Sequence, residues 1–391
     1  MSIAMNKDKY VFSQLTDFLD RFKFRRFVDK YGGDYLARQL TCWNQLLALM
    51  FGQLSGRESL RDLVVALEAH RSKCYHLGFG RGPVTRATLS DANQRRDFRI
   101  FEEFAFFMME EARGRRATEI FNLGGNVYAF DSTTIPLCLA VFKWAVFRRR
   151  KGGVKLHVLH DLETSVPAFY HITSALVHDS RAMAEIPCET GAFYIFDRAY
   201  NALEELYRIH RLESFFVVRA KQNLKYKCVK WRRRLPGNVL GDAEIRLAKP
   251  LACRKFPETM RLVRFHDAEQ DRDFAFLTNA FSPTAQEIAN LYRNRWQVEL
   301  FFKWLKQHLK IKKFWGTSEN AVRIQVSAAI VTYCLVAIVQ KALGTRRSTC
   351  ELLQILSVSL LDKTPLKELC EKAETKEEDR PVTPFLPGFF N

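Results

Sequence analysis

The pattern of apolar and polar positions reads as helical from residue 1 to about 115. Thr41 precedes the apolar-rich segment CWNQLLALMFGQL, and Ser55 with Glu58 forms a capping-box pattern ahead of SLRDLVVALEAH. Two helices joined through Gly-Gln-Leu-Ser-Gly suit a helix-turn-helix. A third segment, TRATLSDANQRRDFRIFEEFAFFMMEEAR, carries Arg86, Arg95, Arg96 and Arg99. The region is expected to be either a DNA-reading module or a helical bundle of another purpose.

From Asn126 the pattern changes to strands. VYAFDSTTI is rich in β-formers, and KLHVLHD with SVPAFYHITSALVHD flank Leu162-Glu163-Thr164 as a hairpin. RAMAEIP reads as a short helix, AFYIFD as a buried strand, AYNALEELYRIHRL as a helix and SFFVVRA as another strand. That order predicts a mixed α/β sheet, an arrangement in which the first and fourth strands can lie side by side. Residues 221–278 read as an inserted β-rich subdomain containing the pair RLVRFHD and RDFAFLT. Helices resume near Thr284, where Thr284 and Glu287 make a second capping box, and continue to about Glu371. The predicted layout is a helical domain at 1–115, an α/β domain at 126–345 with its insertion, and a helical segment with a charged tail at 346–391.

Composition narrows the function. The 391 residues carry 61 Lys and Arg against 43 Asp and Glu, a net charge of +18, which favours a polyanionic partner such as nucleic acid. Nine dispersed cysteines without a CxxC pair argue against a zinc ribbon or disulfide framework and for a reducing, cytoplasmic setting. Neither a signal-peptide core nor a membrane span is expected, because the apolar run from Val326 to Val339 is interrupted by Ser327 and Thr332.

The segment YRNRWQVELFFKWLK, residues 292–306, is the most informative stretch. Tyr292, Arg295, Glu299 and Lys306 fall on one face of a single helix, and the other positions include Val298, Phe301, Phe302, Leu305 and Leu309, an apolar stripe able to anchor it. A carboxylate flanked by Arg, Lys and a phenol fits a site for a metal ion and a polyanion; an i,i+4 ion pair on a solvated face is the simpler alternative. Two further acids interrupt apolar strands: Asp131 in VYAFDSTTIP and Asp197 at the end of AFYIFD. A carboxylate there is costly unless paired or metal-bound, although Asp197 also suits a helix cap. Three converging carboxylates would suit a pair of Mg²⁺ ions performing in-line phosphoryl transfer.

These blocks resemble the DDE transposases of bacterial insertion sequences, in the family named after insertion sequence four. Its spaced Tyr, Arg, Glu, Lys motif is matched at Tyr292, Arg295, Glu299 and Lys306, and FDSTTI and FDRAYN resemble the two Asp blocks. The resemblance implies a ribonuclease H-like catalytic core with a β-rich insertion, preceded by a helical DNA-binding domain and followed by C-terminal helices. It implies Asp131, Asp197 and Glu299 as catalytic metal ligands, with Mg²⁺ (or Mn²⁺) as cofactor and two ions. It further implies cut-and-paste movement, often through a DNA hairpin, and Tyr292, Arg295 and Lys306 on the transposon-end phosphates. Partners would be double-stranded DNA, as inverted-repeat ends and target, and a second copy in a homodimer or higher multimer, in a nucleoid-associated protein with no membrane contact.

A ribonuclease H-like nuclease or resolvase without strand transfer, and a non-catalytic DNA-binding regulator, are the alternative functions. Asp179 rivals Asp197 but reads better as a cap. His157 and His178 lack partners at metal-ligand spacing and read as structural residues or DNA contacts. Basic tracts supply Arg148 and Arg149, and then Arg232 and Arg233 beside Trp231, a mixture suited to a nucleic-acid channel. The family's base-stacking aromatic falls at Phe274, with Trp231 as competitor.

Overall fold

A computed structural model describes residues 8–371 except 36, 81, 115–120, 122, 139, 149–150, 233–234, 236 and 309–313, and except the side chains of 146–148, 151, 308 and 350. Arg149, Arg233 and the tail 372–391 therefore lie outside the described residues, as does the Arg148 side chain.

The N-terminal helices are α1 (Val11–Thr16), α2 (Arg21–Lys30), α3 (Cys42–Leu54), α4 (Leu60–Ala69), α5 (Arg71–Cys74), α6 (Arg86–Arg95) and α7 (Arg99–Gly114). Thr41 caps α3, as its position predicted, accepting from the Asn44 N–H. The next cap is four residues later than expected: Ser59 accepts from Asp62, whereas the Ser55 hydroxyl bonds back to the Phe51 carbonyl. Almost the whole of α3 is buried, so it is a core helix and presents no face to a partner.

The sheet contains β1 (Val127–Leu137), β2 (Val146–Arg148), β3 (Lys151–Asp161), β4 (Val166–Ser174), β5 (Phe193–Phe196), β6 (Phe215–Arg219), β7 (Tyr226–Trp231), β8 (Val239–Leu247), β9 (Met260–Asp267) and β10 (Arg272–Thr278). Its order is β2-β3-β1-β5-β6-β10-β9-β8-β7, with β4 paired to β3. β1, β5 and β6 run parallel, and the other pairs are antiparallel. The short β2 was not legible in the sequence, and the RAMAEIP segment forms part of a 3₁₀ helix, Asp179–Glu185. The predicted insertion is thus β7 to β10, which extends the same sheet, together with α9 (Pro250–Lys255).

Alternation along the parallel strands sends side chains to two cores. Tyr128, Phe130, Tyr194, Phe196, Phe216 and Val218 face α8 (Leu203–Arg211) and the 3₁₀ helix. Val127, Ala129, Phe193, Ile195 and Val217 face the other side. There they meet α10 (Ala285–Asn294) and α11 (Trp296–His308). The C-terminal helices are α12 (Glu319–Leu343), α13 (Thr349–Ser359) and α14 (Leu366–Cys370). α12 packs on α3, α6, α7 and β4, tying the N-terminal helices to the sheet through one continuous core. It is long and apolar enough to cross a bilayer, yet 94% of its apolar window is buried inside the protein. Ser318 caps its start, and Gly344 ends it in the left-handed conformation that glycine adopts without steric cost.

Candidate active site

Parallel pairing of β1 with β5 ends at the rung Phe130↔Phe196, and the next residue on each strand is an acid. Asp131 and Asp197 therefore leave the sheet side by side, on strands roughly 5 Å apart. By alternation both lie on the face covered by α10 and α11. The antiparallel partner β3 continues beyond this rung, with Asp131 opposite Val158, so Asp131 is held in a regular ladder.

The predicted single helix from Tyr292 to Lys306 is two helices with a joint at Arg295. Its N–H bonds the Tyr292 carbonyl, and its carbonyl accepts from Val298, both three-residue steps that tighten the turn. The joint brings the Arg295 guanidinium between two acids: Nη1 donates to Asp131 Oδ2 at 2.9 Å and Nη2 to Glu299 Oε1 at 2.5 Å. The Tyr292 hydroxyl lies 3.5 Å from Asp197 Oδ1, and the Tyr200 hydroxyl lies 3.5 Å from Asp131 Oδ1. One arginine and one tyrosine thus link the α10–α11 joint to both strand acids. Lys306 reaches back to the Thr134 carbonyl of β1 at 3.3 Å.

Burial pushes the Asp131 carboxyl up to about 6, against the pull of Arg295 and of the Ser132 N–H; Glu299 and Asp197 push it further upward. The native protein therefore holds this proton more tightly than the unfolded chain does. The resulting stabilisation is full below the ordinary carboxylate range and is lost as pH rises through about 6. In metal-free buffer, Asp131→Asn is expected to be more stable than the parent at pH 7.5, with the difference shrinking towards pH 4. Urea denaturation at the two pH values checks this, and an equal difference at both would contradict it.

The three acids fit a divalent cation by chemistry, since they supply hard oxygen donors in a site that attracts positive charge. Among the described residues, no group of three or more His, Cys, Asp or Glu side chains is spaced to hold an ion. Arg295 occupies the place between Asp131 and Glu299, so a cation shared by these acids requires its guanidinium to move. The Arg295 Nε is buried without a hydrogen-bond partner, which leaves that side chain incompletely satisfied where it stands.

Asp179 belongs to a supporting network. It accepts from the Ser132 hydroxyl at 2.6 Å and pairs with the largely buried Lys155 at 3.0 Å. Burial works against its charged form, yet these partners hold its carboxyl below the ordinary range. His157 is fully buried, stacked on Phe130 and bonded to Thr173, which excludes it as a DNA contact in this arrangement; burial lowers it to about 4. His178 caps the 3₁₀ helix by accepting from Ser180.

Sequence reasoning missed a basic cleft beside Asp197. Arg198, Arg219, Lys221, Arg264, Arg272 and Phe274 line a volume of about 530 Å³. Phe274 lies between Arg219 and Arg272, 4.9 and 5.5 Å from its ring centre, and against Tyr292. The arginine after FFVV and the one opening RDFAFLT were the available signals, but only the sheet order brings them together. Trp296 was also passed over; it is exposed on the α11 face that carries Glu299. Trp231 stands 61% exposed on the edge strand β7. Arg232 turns inward instead, donating to the Phe281 carbonyl at 2.9 Å and approaching Asp242 at 3.9 Å.

Asp242 anchors the start of α10. It accepts two bonds of 2.8 Å from Arg261, whose Nη1 also donates to the carbonyls of Ala280 and Pro283. These carbonyls lie just before Thr284, whose capping box with Glu287 opens the helix as its sequence predicted. Near the other end of α10, Arg293 pairs with Asp267 and Glu269 at the end of β9.

A family model described as a transposase DDE domain matches residues 122–335, and one described as a domain of unknown function, DUF4372, matches residues 7–80. A putative transposase from Sinorhizobium fredii is 36% identical over 258 residues, 64% of this chain and 70% of that protein. A probable insertion-sequence transposase from Geobacillus stearothermophilus is 36% identical over 208 residues, 52% of this chain and 54% of that one. A putative insertion-sequence transposase from Synechocystis is 25% identical over 287 residues, 70% of this chain and 78% of its own length. Among solved structures, a piggyBac transposase synaptic complex with hairpin DNA aligns with a TM-score of 0.46 at 10% identity, covering 96% of this chain and 84% of its own.

Proposed function

The chain belongs to the DDE transposases, and from that premise we propose that Asp131, Asp197 and Glu299 are its three catalytic acids. The protein is a bacterial insertion-sequence transposase, a metal-dependent enzyme that cleaves and joins DNA. The observation that carries the site assignment is the shared rung: Asp131 and Asp197 follow the paired residues Phe130 and Phe196, and Arg295 ties Glu299 to Asp131.

On this reading the core is ribonuclease H-like, and the Tyr-Arg-Glu-Lys spacing supports membership of the insertion-sequence-four family. The three acids would hold a pair of divalent cations such as Mg²⁺, which would supply Lewis-acid activation of an attacking oxygen and stabilisation of a leaving one. The protein's own part is positioning. Tyr292 orients Asp197, and Tyr200 with the Ser132 N–H orients Asp131. Arg295 and Lys306 move from their internal partners onto phosphates of the element's end, joined by Arg219 and Arg198 from the cleft. Phe274 offers an aromatic face inside that cleft, and Trp231 offers one on the outer edge strand. Arg148, Arg149 and Arg233 add to the positive charge of the chain, which favours a polyanionic partner, while Arg232 stays on its internal partners. Residues 1–115 bind the ends, and two copies pair them before joining.

The test is a reaction with both possible products in view. Purified protein, Mg²⁺ and a duplex ending in the element's inverted repeat are expected to give a cleaved 3′ end and its joining to target plasmid. Cleavage without joining supports the nuclease alternative for this reaction. Binding of the end is expected to weaken steeply with salt, because each neutralised phosphate releases counterions; a flat response contradicts the basic channel.

A further inference from the structure

Of the four arginines that the sequence offered for DNA reading on α6 and α7, one is held inside the protein and two sit in exposed ion pairs. Arg95 pairs with Asp91 and Arg99 with Asp97. Arg96 donates to the Gln45 side chain and the Leu40 carbonyl. Of these four, Arg86 alone is exposed without an ion pair among the described residues. α2 and the turns after it carry a denser basic surface.

The buried face of α2 is Phe24 and Val28, four residues apart, packed against Trp43, Phe101 and Phe104. The opposite face presents Phe22, Arg25, Arg26 and Asp29, with Arg21 exposed at the helix start. Phe22 is 88% exposed, and Tyr35, in the turns that follow α2, is 83% exposed; they are the two most exposed large aromatics among the described residues. The packing explains neither of them: the helix's apolar stripe is already complete without Phe22. Between residues 21 and 38 there are six Lys or Arg and two Asp. Arg25 shares an exposed ion pair with Asp29, while Arg26 and Arg38 form no ion pair among the described residues. Asp34 is turned inward onto the Cys42 N–H, so it does not offset this surface.

We propose that the outer face of α2, with the turns after it, is a docking surface for the duplex DNA backbone. Arg21, Arg25, Arg26 and Arg38 contact phosphates, and Phe22 and Tyr35 pack on the sugar and base edges between them. Among the described residues Arg26 and Arg38 form no ion pair, Arg25 shares only a solvent-exposed one with Asp29, and Arg21 lies over the Trp43 ring. Exposed aromatics among such arginines suit nucleic acid, since the charge holds the backbone and the rings bury apolar surface against it. The inference deepens the reading that the N-terminal region binds DNA ends, and it assigns the contact to a helix outside the expected helix-turn-helix.

The experiment uses the full chain and two labelled duplexes of equal length, one carrying the element's inverted repeat and one scrambled, titrated by fluorescence anisotropy across a salt series. R25A/R26A is expected to weaken binding to both duplexes by about tenfold and to reduce the salt slope by about two, one per lost phosphate contact. Phe22→Ala is expected to weaken both while leaving the salt slope unchanged. All these positions are exposed, so circular dichroism and the melting temperature should match the parent. Parental affinity and salt slope in R25A/R26A, on both duplexes, would overturn the inference, as would a larger loss in Arg86→Ala than in R25A/R26A. A parent protein that does not prefer the inverted repeat would instead overturn the end-binding reading, while the α2 contact is still decided on the scrambled duplex.

Discussion

Alanine at Asp131, Asp197 or Glu299 is expected to lower DNA end cleavage by roughly 10³-fold or more, with affinity for the end duplex within about twofold of the parent. The split follows from position. The acids carry negative charge at the sheet's edge, where they repel phosphate unless cations intervene, so removing one costs no phosphate contact. Reaction rate falls because the three act as a unit. For the same reason, a second alanine should lower the residual rate little further. Cleavage and duplex affinity are measured on the same preparations with Mg²⁺. Parental cleavage in any one variant would remove that residue from the catalytic set. Asp179→Ala is the internal control: its carboxylate pairs with Lys155 and Ser132, so the variant should lose stability and some rate but keep measurable cleavage. A loss at Asp179 equal to that at Asp197 would reverse the choice between the two.

What the sequence made legible was local or topological. Thr284 and Glu287 lie three residues apart at a helix start, and their box forms as read. The order of apolar runs allowed the first and fourth strands to be neighbours, and the structure puts Asp131 and Asp197 one residue beyond a paired rung. Failures arose where tertiary contacts chose between equivalent local options. Ser55 and Ser59 both suit a helix start, and the chain uses Ser59, leaving Ser55 to bond the end of α3. A 3.6-residue pattern cannot reveal a joint, so Tyr292 to Lys306 read as one helix although Arg295 ends α10 to reach Asp131. The basic cleft was invisible for a different reason. Arg198, Arg219 and Arg272 are scattered along the chain and meet only because β10 pairs with β6.

Arg261→Met is expected to cost about 3–5 kcal/mol of stability, because it leaves the buried Asp242 carboxylate without its bidentate partner and with Arg232 only at 3.9 Å. Arg261 has no exposed surface and Asp242 is almost as deeply buried. Four hydrogen bonds from one guanidinium satisfy that acid and two carbonyls ahead of α10. The double variant Arg261→Met with Asp242→Leu should recover most of the loss, since a buried pair replaced by packed apolar groups is often neutral. Recovery of stability need not restore chemistry. The carbonyls of Ala280 and Pro283 would remain unbound, and α10 carries Tyr292 and leads directly into Arg295 and Glu299. A double variant of near-parental melting temperature is thus expected to bind the end duplex normally and cleave it more slowly. Equal loss of stability in the single and double variants would refute the stranded-charge account. Parental cleavage in the double variant would show that the start of α10 is held by its capping box and apolar face alone.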